Sequence, residues 1–231
     1  MKILSIDTSS NICGVAILED NTVLKEVSQN NGLTHSETLM PIIKNTLEDL
    51  NINLSEIDLI VCDKGPGSFT GIRIGVATAK AFSDSLNIQT IGISSLEALA
   101  YNIKNDGIIC SLIDAKNSNV YVGVYEKINE NYILRRNLST ENIDNLLNEF
   151  KDSEYSVTFV GDGAINYKSL IETILPNKCN FVEKNNISAY NLGLAGLEHF
   201  KNEDFVDLNP LYLRKPQAER MLELKMEKEN G

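Results

Sequence analysis

The chain says nearly the same thing twice, and this limits the folds open to it more than any other feature. Ile6-Asp7-Thr8, a polar turn and Gly14-Val15-Ala16 are echoed by Ile113-Asp114-Ala115 and Val122-Gly123-Val124. The echo extends outward from both places. In the first half, Ile3 to Ile6, Gly14 to Leu18 and Thr22 to Val27 predict three strands, broken at the turn formers Ser9-Ser10-Asn11 and Asp20-Asn21. The period then changes: Leu39, Ile42, Ile43, Thr46, Leu47 and Leu50 recur at helical spacing, behind Thr34 and Glu37 at the spacing of a capping box. Ile57 to Cys62 reads as a buried strand, residues 70–86 as a helix, Ile88 to Ile91 as a short strand and Ser94 to Ile103 as a helix.

The second half repeats the order. Ile108 to Ile113, Val120 to Glu126 and Tyr132 to Leu138 read as strands, and Ile143, Leu146, Leu147 and Phe150 mark a helix. Val157 to Val160 reads as a strand, Ala164 to Leu175 as a helix, the region of Phe181 as a short strand and Ser188 to Phe200 as a last helix. A β-β-β-α-β-α unit of this length, repeated once, makes two related α/β lobes and not a solenoid. The break falls near Asn105-Asp106-Gly107, giving lobes over 1–105 and 106–218; the charged tail 219–231 is expected to fray.

Charge narrows the partners. The 231 residues carry 21 basic and 32 acidic side chains, net −11. Affinity for nucleic acid rests on Lys and Arg neutralising phosphates, so a role with RNA would need a partner to supply the positive surface. Cys13, Cys62, Cys110 and Cys179 lie far apart, two of them inside apolar runs, which predicts buried reduced thiols in a cytosolic protein. No run approaches the ~18 apolar residues of a membrane span.

Chemistry-bearing residues are few. Asp7 with Thr8, Asp114 and Asp162 stand at strand ends; three acids facing one cleft would suit a nucleotide and magnesium, whereas Asp and Ser also simply form turns there. The block Gly65-Pro66-Gly67-Ser68-Phe69-Thr70-Gly71-Ile72-Arg73-Ile74-Gly75 joins a strand to a helix and can present amides to a phosphate, although it is not a P-loop. Gly71, Gly75 and Ala79, four apart, equally make a stripe where another segment or a partner comes close. His35-Ser36-Glu37 makes no triad, since adjacent helix positions face apart, and His35 is expected at a contact surface. His199 near a helix end suits the dipole and needs no other role. Tyr121 and Tyr125 read as core or partner contacts, and Pro210 to Arg214 as an extended strap with Arg214 free for a cap or an acidic partner.

These blocks, with Gly92-Ile93-Ser94-Ser95-Leu96-Glu97, Asp114-Ala115-Lys116 and Gly161-Asp162-Gly163, occur in the order found in the bacterial TsaB (YeaZ) family, which the chain resembles over nearly its whole length. One departure is Asn117, where the family often has a second basic residue. The resemblance implies the two-lobed actin/Hsp70/sugar-kinase-like (ASKHA) fold. It further implies a non-catalytic cytoplasmic partner of TsaD, working with the ATPase TsaE. TsaD transfers a threonylcarbamoyl group from its adenylate to N6 of the adenosine 3′ of the anticodon, in tRNAs reading codons that start with A. TsaD carries an H-x-x-x-H metal pair in the segment resembling 93–99, where this chain has Ser95 and Leu99; no metal or cofactor is expected. By the same resemblance the helices over 35–50 and 70–86 pair with those of TsaD, and with a second copy when TsaD is absent. That places His35, Leu39, Ile42, Ile43, Gly71, Arg73, Gly75, Val76 and Ala79 at the candidate partner face, with periodicity leaving open which of them turn inward. Contact with tRNA is expected to be indirect. The alternative on this fold is a nucleotide-binding small-molecule kinase, for which ~230 residues leave little room for substrate insertions.

Overall fold

The computed structural model describes residues 1–214, so the tail 219–231 and the last residues of the span 106–218 lie outside the described residues. The first half forms β1 (Lys2–Asp7), β2 (Cys13–Glu19), β3 (Thr22–Gln29), α1 (His35–Asp49), β4 (Leu59–Asp63), α2 (Phe69–Leu86), β5 (Gln89–Ile93) and α3 (Ser95–Ala100). The second forms β6 (Gly107–Asp114), β7 (Asn119–Ile128), β8 (Asn131–Asn142), α4 (Ile143–Lys151), β9 (Val157–Val160), α5 (Asp162–Asn166), α6 (Lys168–Ile174), β10 (Cys179–Phe181) and α7 (Ala189–Lys201). The sheets run β3-β2-β1-β4-β5 and β10-β9-β6-β7-β8. Read from opposite ends these are one topology, antiparallel in the opening hairpins and parallel after the crossover, so the duplication seen in the sequence is a duplication of structure.

Strands β1 and β2 are apolar along almost their whole length because both faces of the first sheet are covered. Leu4, Ile6, Val15 and Ile17 pack beneath α1 and α2 with Leu39, Ile43, Ile72 and Val76. Ile3, Ala16, Leu18, Leu59 and Val61 pack on the opposite face beneath Ala189, Leu192, Ala195 and Leu197 of α7. Each such Leu or Ile contributes about 1.5–3 kcal/mol when fully buried. The second sheet repeats the arrangement, with Leu146, Leu147, Phe159 and Ile171 on one side and α3, through Leu96, Leu99 and Ala100, on the other. Tyr121 and Tyr125 belong to that last layer and are core residues.

The last helix of each half therefore packs on the sheet of the other. A boundary at residue 105 divides the two sheets, but α3 and α7 are exchanged across it. Two smaller differences from the sequence reading concern helices. The segment over 164–175 is two helices meeting at Tyr167, which bury different residues, Ala164 and Ile171, and α3 stops at Ala100. The capping signal of α1 is real: the Thr34 N–H donates to the Glu37 carboxylate at 3.0 Å. Cys13, Cys62 and Cys110 are buried free thiols and Cys179 is half-buried. Among the described residues no helix is long and apolar enough to cross a membrane.

Candidate functional site

The turns after β1 and β6 face one another across an open recess of about 380 Å³, lined by Ser9, Ser10, Gly67, Ser68, Asp114 and Lys116 among others. Of the acids singled out from sequence, Asp114 and Asp162 line it and Asp7 does not. Asp7 is 1% exposed, and its Oδ1 accepts hydrogen bonds from Ser9 N–H at 2.8 Å and Ser9 Oγ at 2.7 Å. Thr8 also turns inward, donating from Oγ1 to the carbonyl of Gly71 at 2.8 Å. Asp114 stays at the recess, yet both its oxygens are engaged: Oδ1 accepts from Lys116 N–H at 2.8 Å, and Oδ2 from Lys116 Nζ at 2.9 Å and Asn166 Nδ2 at 3.1 Å. Asp162 turns its Oδ1 onto the N–H of Asp114 at 2.9 Å.

One carboxylate escaped the sequence reading. Asp63, the last residue of β4, is fully buried; its Oδ1 accepts from Gly65 N–H at 2.7 Å and from Ser95 Oγ at 2.7 Å. Its Oδ2 is buried with no donor reaching it, and Asp7 is the carboxyl with which it interacts. Burial, then the charge of Asp7, pushes the Asp63 carboxyl well above the ordinary carboxylate range; burial raises Asp7 as well, against its Ser9 hydrogen bonds. One proton held between the two carboxyls satisfies both, because two adjacent desolvated carboxylates cannot both ionise. In the second lobe Asp114 shifts the other way: burial opposes ionisation, but the hydrogen bonds and charge of Lys116 outweigh it and lower the value.

The glycine-rich block is a packing device. A Cβ on Gly67 would lie 2.2 Å from the carbonyl oxygen of Ser9, one on Gly71 1.9 Å from that of Thr8, and one on Gly75 2.4 Å from Thr8 Oγ1. The start of α2 is thus laid directly against the backbone of residues 8 and 9. Two amides there are also taken: Ser68 N–H donates to Ser9 O at 2.7 Å, and Gly71 N–H to Oγ of the N-cap Ser68 at 3.3 Å.

Most of the candidate partner face turns inward in this chain. Gly71, Gly75 and Ala79 meet the chain's own β1 turn and core, and Leu39, Ile42, Ile43 and Val76 are buried under α1 and α2 against the first sheet. The apolar stripe of an amphipathic helix seeks the nearest sheet, and here it is the sheet of the same lobe. Of the nine residues only Arg73 is exposed and His35 partly so. His35 bonds the carbonyl of Ser10 through Nε2 at 2.7 Å, and Arg73 Nε donates to Tyr212 Oη at 2.8 Å. Beside charged residues such as Lys44 and Lys80, the apolar residues that the two helices show outward include Met40, 48% exposed, and Leu86, with Pro41, Ala77 and Ala81 also exposed and Ile74 partly so.

Three further residues take places the sequence did not predict. Ser95 and Leu99 are both buried, the first bonded to Asp63 and the second in the layer under α3. His199 lies between Glu97 of α3, through Nε2 at 2.7 Å, and Asp204, through Nδ1 at 2.8 Å, and the Glu97 bond raises its pKa to about 9. The strap after α7 then ties the lobes: Leu211 N–H donates to Lys64 O, Tyr212 stacks on Phe69 at 4.8 Å, Thr140 Oγ1 donates to Leu213 O, and Arg214 donates to the carbonyl of Ala115.

A family model described as TsaD, tRNA N6-adenosine threonylcarbamoyltransferase, matches residues 23–221. Over 224 residues the chain is 35% identical to the tRNA threonylcarbamoyladenosine biosynthesis protein TsaB of Bacillus subtilis (strain 168), covering 95% of this chain and 96% of that one. The solved structure of YeaZ from Pseudomonas aeruginosa superposes with a TM-score of 0.78 at 24% identity, over 92% of this chain and 99% of that one. The activator of the 2-hydroxyisocaproyl-CoA dehydratase from Clostridium difficile, with bound ADPNP, shares the two-lobed fold at a TM-score of 0.50 and 11% identity, over 88% and 97% of the two chains.

Proposed function

The chain belongs to the TsaB (YeaZ) family, and from that premise we propose that it is the non-catalytic partner of a TsaD-type transferase in forming threonylcarbamoyladenosine on tRNA. TsaD carries out the transfer from threonylcarbamoyl-AMP, and the ATPase TsaE joins the assembly. The observation that carries this reading is the near full-length relationship to a tRNA threonylcarbamoyladenosine biosynthesis protein. The site supports it. Where the resemblance puts the metal-binding histidines of TsaD, Ser95 is committed to Asp63 and Leu99 to the core, so neither offers a ligand. The strand-end acids are committed to their own lobes. The net charge of −11 favours contact with tRNA through the partner, in the cytoplasm.

The docking face is the outward side of α1 and α2, now assigned to Met40, Pro41, Ala77 and Ala81. Alanines at exposed positions four apart let a second helix approach closely, and Met40 supplies an adaptable apolar contact. TsaD occupies this face in the complex, and a second copy of the chain occupies it when TsaD is absent, as an isologous contact reusing one surface.

Reconstitution tests the role. TsaD and TsaE with threonylcarbamoyl-AMP and tRNA form the modified nucleoside only when this chain is added, and the chain alone turns nothing over; modification at full rate without it defeats the proposal. Ala77→Arg, on an exposed position, leaves the fold intact and abolishes co-elution with TsaD on a sizing column. An unchanged complex removes this face from consideration.

A further inference from the structure

A second cavity, of about 480 Å³, shares no residue with the recess between the β1 and β6 turns. Its walls come from both sides of the molecule: Tyr190, Leu197 and Glu198 from α7, Tyr132 from the start of β8, and Tyr101 from the segment joining the lobes. The floor is apolar. Leu197 is buried, and Tyr101 stacks on Tyr132 with ring centroids 4.0 Å apart.

The rim carries charge of both signs, and little of it is neutralised. Lys104 and Lys201 reach only amide oxygens, Asn191 Oδ1 at 3.3 Å and Asn21 Oδ1 at 3.4 Å, beyond the usual N–H···O range. Among the described residues neither joins an ion pair. Burial, then the charge of Lys127, lowers Lys104 from its ordinary value, and the charge of Glu130 offsets them only in part. Glu198, a turn before Lys201 on α7, accepts from Tyr101 Oη at 2.8 Å through one oxygen only, and Glu130, whose charge acts on Lys104, is exposed at the rim.

We propose that this cavity binds a zwitterion with an apolar body, an amino acid or dipeptide, whose carboxylate sits between Lys104 and Lys201 and whose ammonium meets Glu198 and Glu130. A simple anion meets two carboxylates here and a simple cation meets two ammonium groups. An uncharged apolar ligand would strip water from all four charges without replacing it, which is costly. A zwitterion pairs both signs at once, and its side chain covers Leu194, Leu197 and the ring of Tyr190. The volume lies within the ~300–1,000 Å³ range of small-molecule sites. Because the walls belong to both lobes, the bound molecule bridges them.

The chain has no tryptophan and eight tyrosines, three of which, Tyr101, Tyr132 and Tyr190, line the cavity, so tyrosine emission reports on it directly. L-leucine and L-leucyl-L-leucine are titrated against the full chain beside the two halves of leucine, 4-methylpentanoate and 3-methylbutylamine. The expected result is a saturable change with at least one zwitterion, about tenfold or more tighter than with either half. Lys104→Gln with Lys201→Gln, both on exposed positions, weakens it by about tenfold or more while circular dichroism stays that of the parent. The proposal is overturned by no saturable change with either zwitterion up to about 10 mM, by halves that bind as well as the whole, or by a folded double variant that binds like the parent. None of these outcomes bears on the tRNA-modification role, which reconstitution tests separately.

Discussion

At the ends of β1 and β4 the first lobe holds Asp7 and Asp63, both buried; at the matching ends of β6 and β9 the second holds Asp114 and Asp162, which line the recess. The first pair is sealed. The start of α2 lies flat on residues 8 and 9 because Gly67, Gly71 and Gly75 have no side chains, and Ser95 closes the far side. The second pair stays at the recess, where Lys116 and Asn166 reach Asp114. One topology thus yields two carboxyls raised by burial in one lobe and, in the other, an Asp114 lowered by Lys116 beside an Asp162 raised by burial. The cover laid over the strand ends, not the strands, sets the chemistry.

The largest effect should come from prying that cover off. Gly71→Ala puts a methyl group 1.9 Å from the carbonyl oxygen of Thr8, a backbone atom that cannot swing away. The expected loss is about 3 kcal/mol in urea unfolding. Gly163→Ala, in α5 of the second lobe, meets Leu112 Cβ at 2.9 Å and should cost about 1–2 kcal/mol. Equal losses would mean the two covers are equally tight.

Asp63 and Asp114 should respond to pH with opposite signs, while burial raises Asp162 as it raises Asp63. Asp63 titrates higher folded than its unfolded 3.8, so the folded state binds more protons and stability falls as pH rises above 3.8. Asp63→Asn keeps the acceptor for Gly65 and Ser95, gains an N–H toward Asp7, and should stabilise the protein at pH 8 by about 1 kcal/mol. Asp114 titrates lower folded than unfolded, so its contribution is present above 3.8 and lost as pH falls through its depressed value. Asp114→Asn should therefore destabilise at neutral pH, by under about 1 kcal/mol because Lys116 is solvent-exposed. Urea midpoints of both variants at pH 5 and pH 8 decide the matter, and a shift of the same sign in both would erase the contrast.

A pH effect of its own is expected at His199, which joins what the duplication separates. Its folded pKa of about 9 exceeds the unfolded 6.5, so its contribution is complete below 6.5 and disappears as pH rises to about 9. With the ring partly exposed, about 1–2 kcal/mol is expected, and His199→Gln should flatten the loss between those limits. A variant that still loses stability with the parent's slope places the titration elsewhere.

The element order and the duplication were legible because apolar period and turn residues are local signals, and here they are repeated. Asp63 was hidden in plain view as the end of an apolar strand before Lys64-Gly65-Pro66-Gly67; the match of Asp7 to Asp114, carried on to Asp162, points to it. Leu39, Ile42, Ile43 and Val76 form a genuine apolar stripe, but period alone does not say whether a stripe meets its own sheet or another chain. His199 and Glu97 lie 102 residues apart, and no local pattern joins them. The exchange of α3 and α7 is likewise invisible, since either helix would cover either sheet.

That exchange gives the molecule a schedule. Residues 2–93 complete the first sheet, yet the helix that roofs its Ile3, Leu18 and Val61 face is translated only at 189–201. Domains fold during synthesis from the N-terminus onward at about 5–20 residues per second. The nascent first sheet must therefore wait, greasy side bare, for most of the message to be read before its lid arrives from the ribosome.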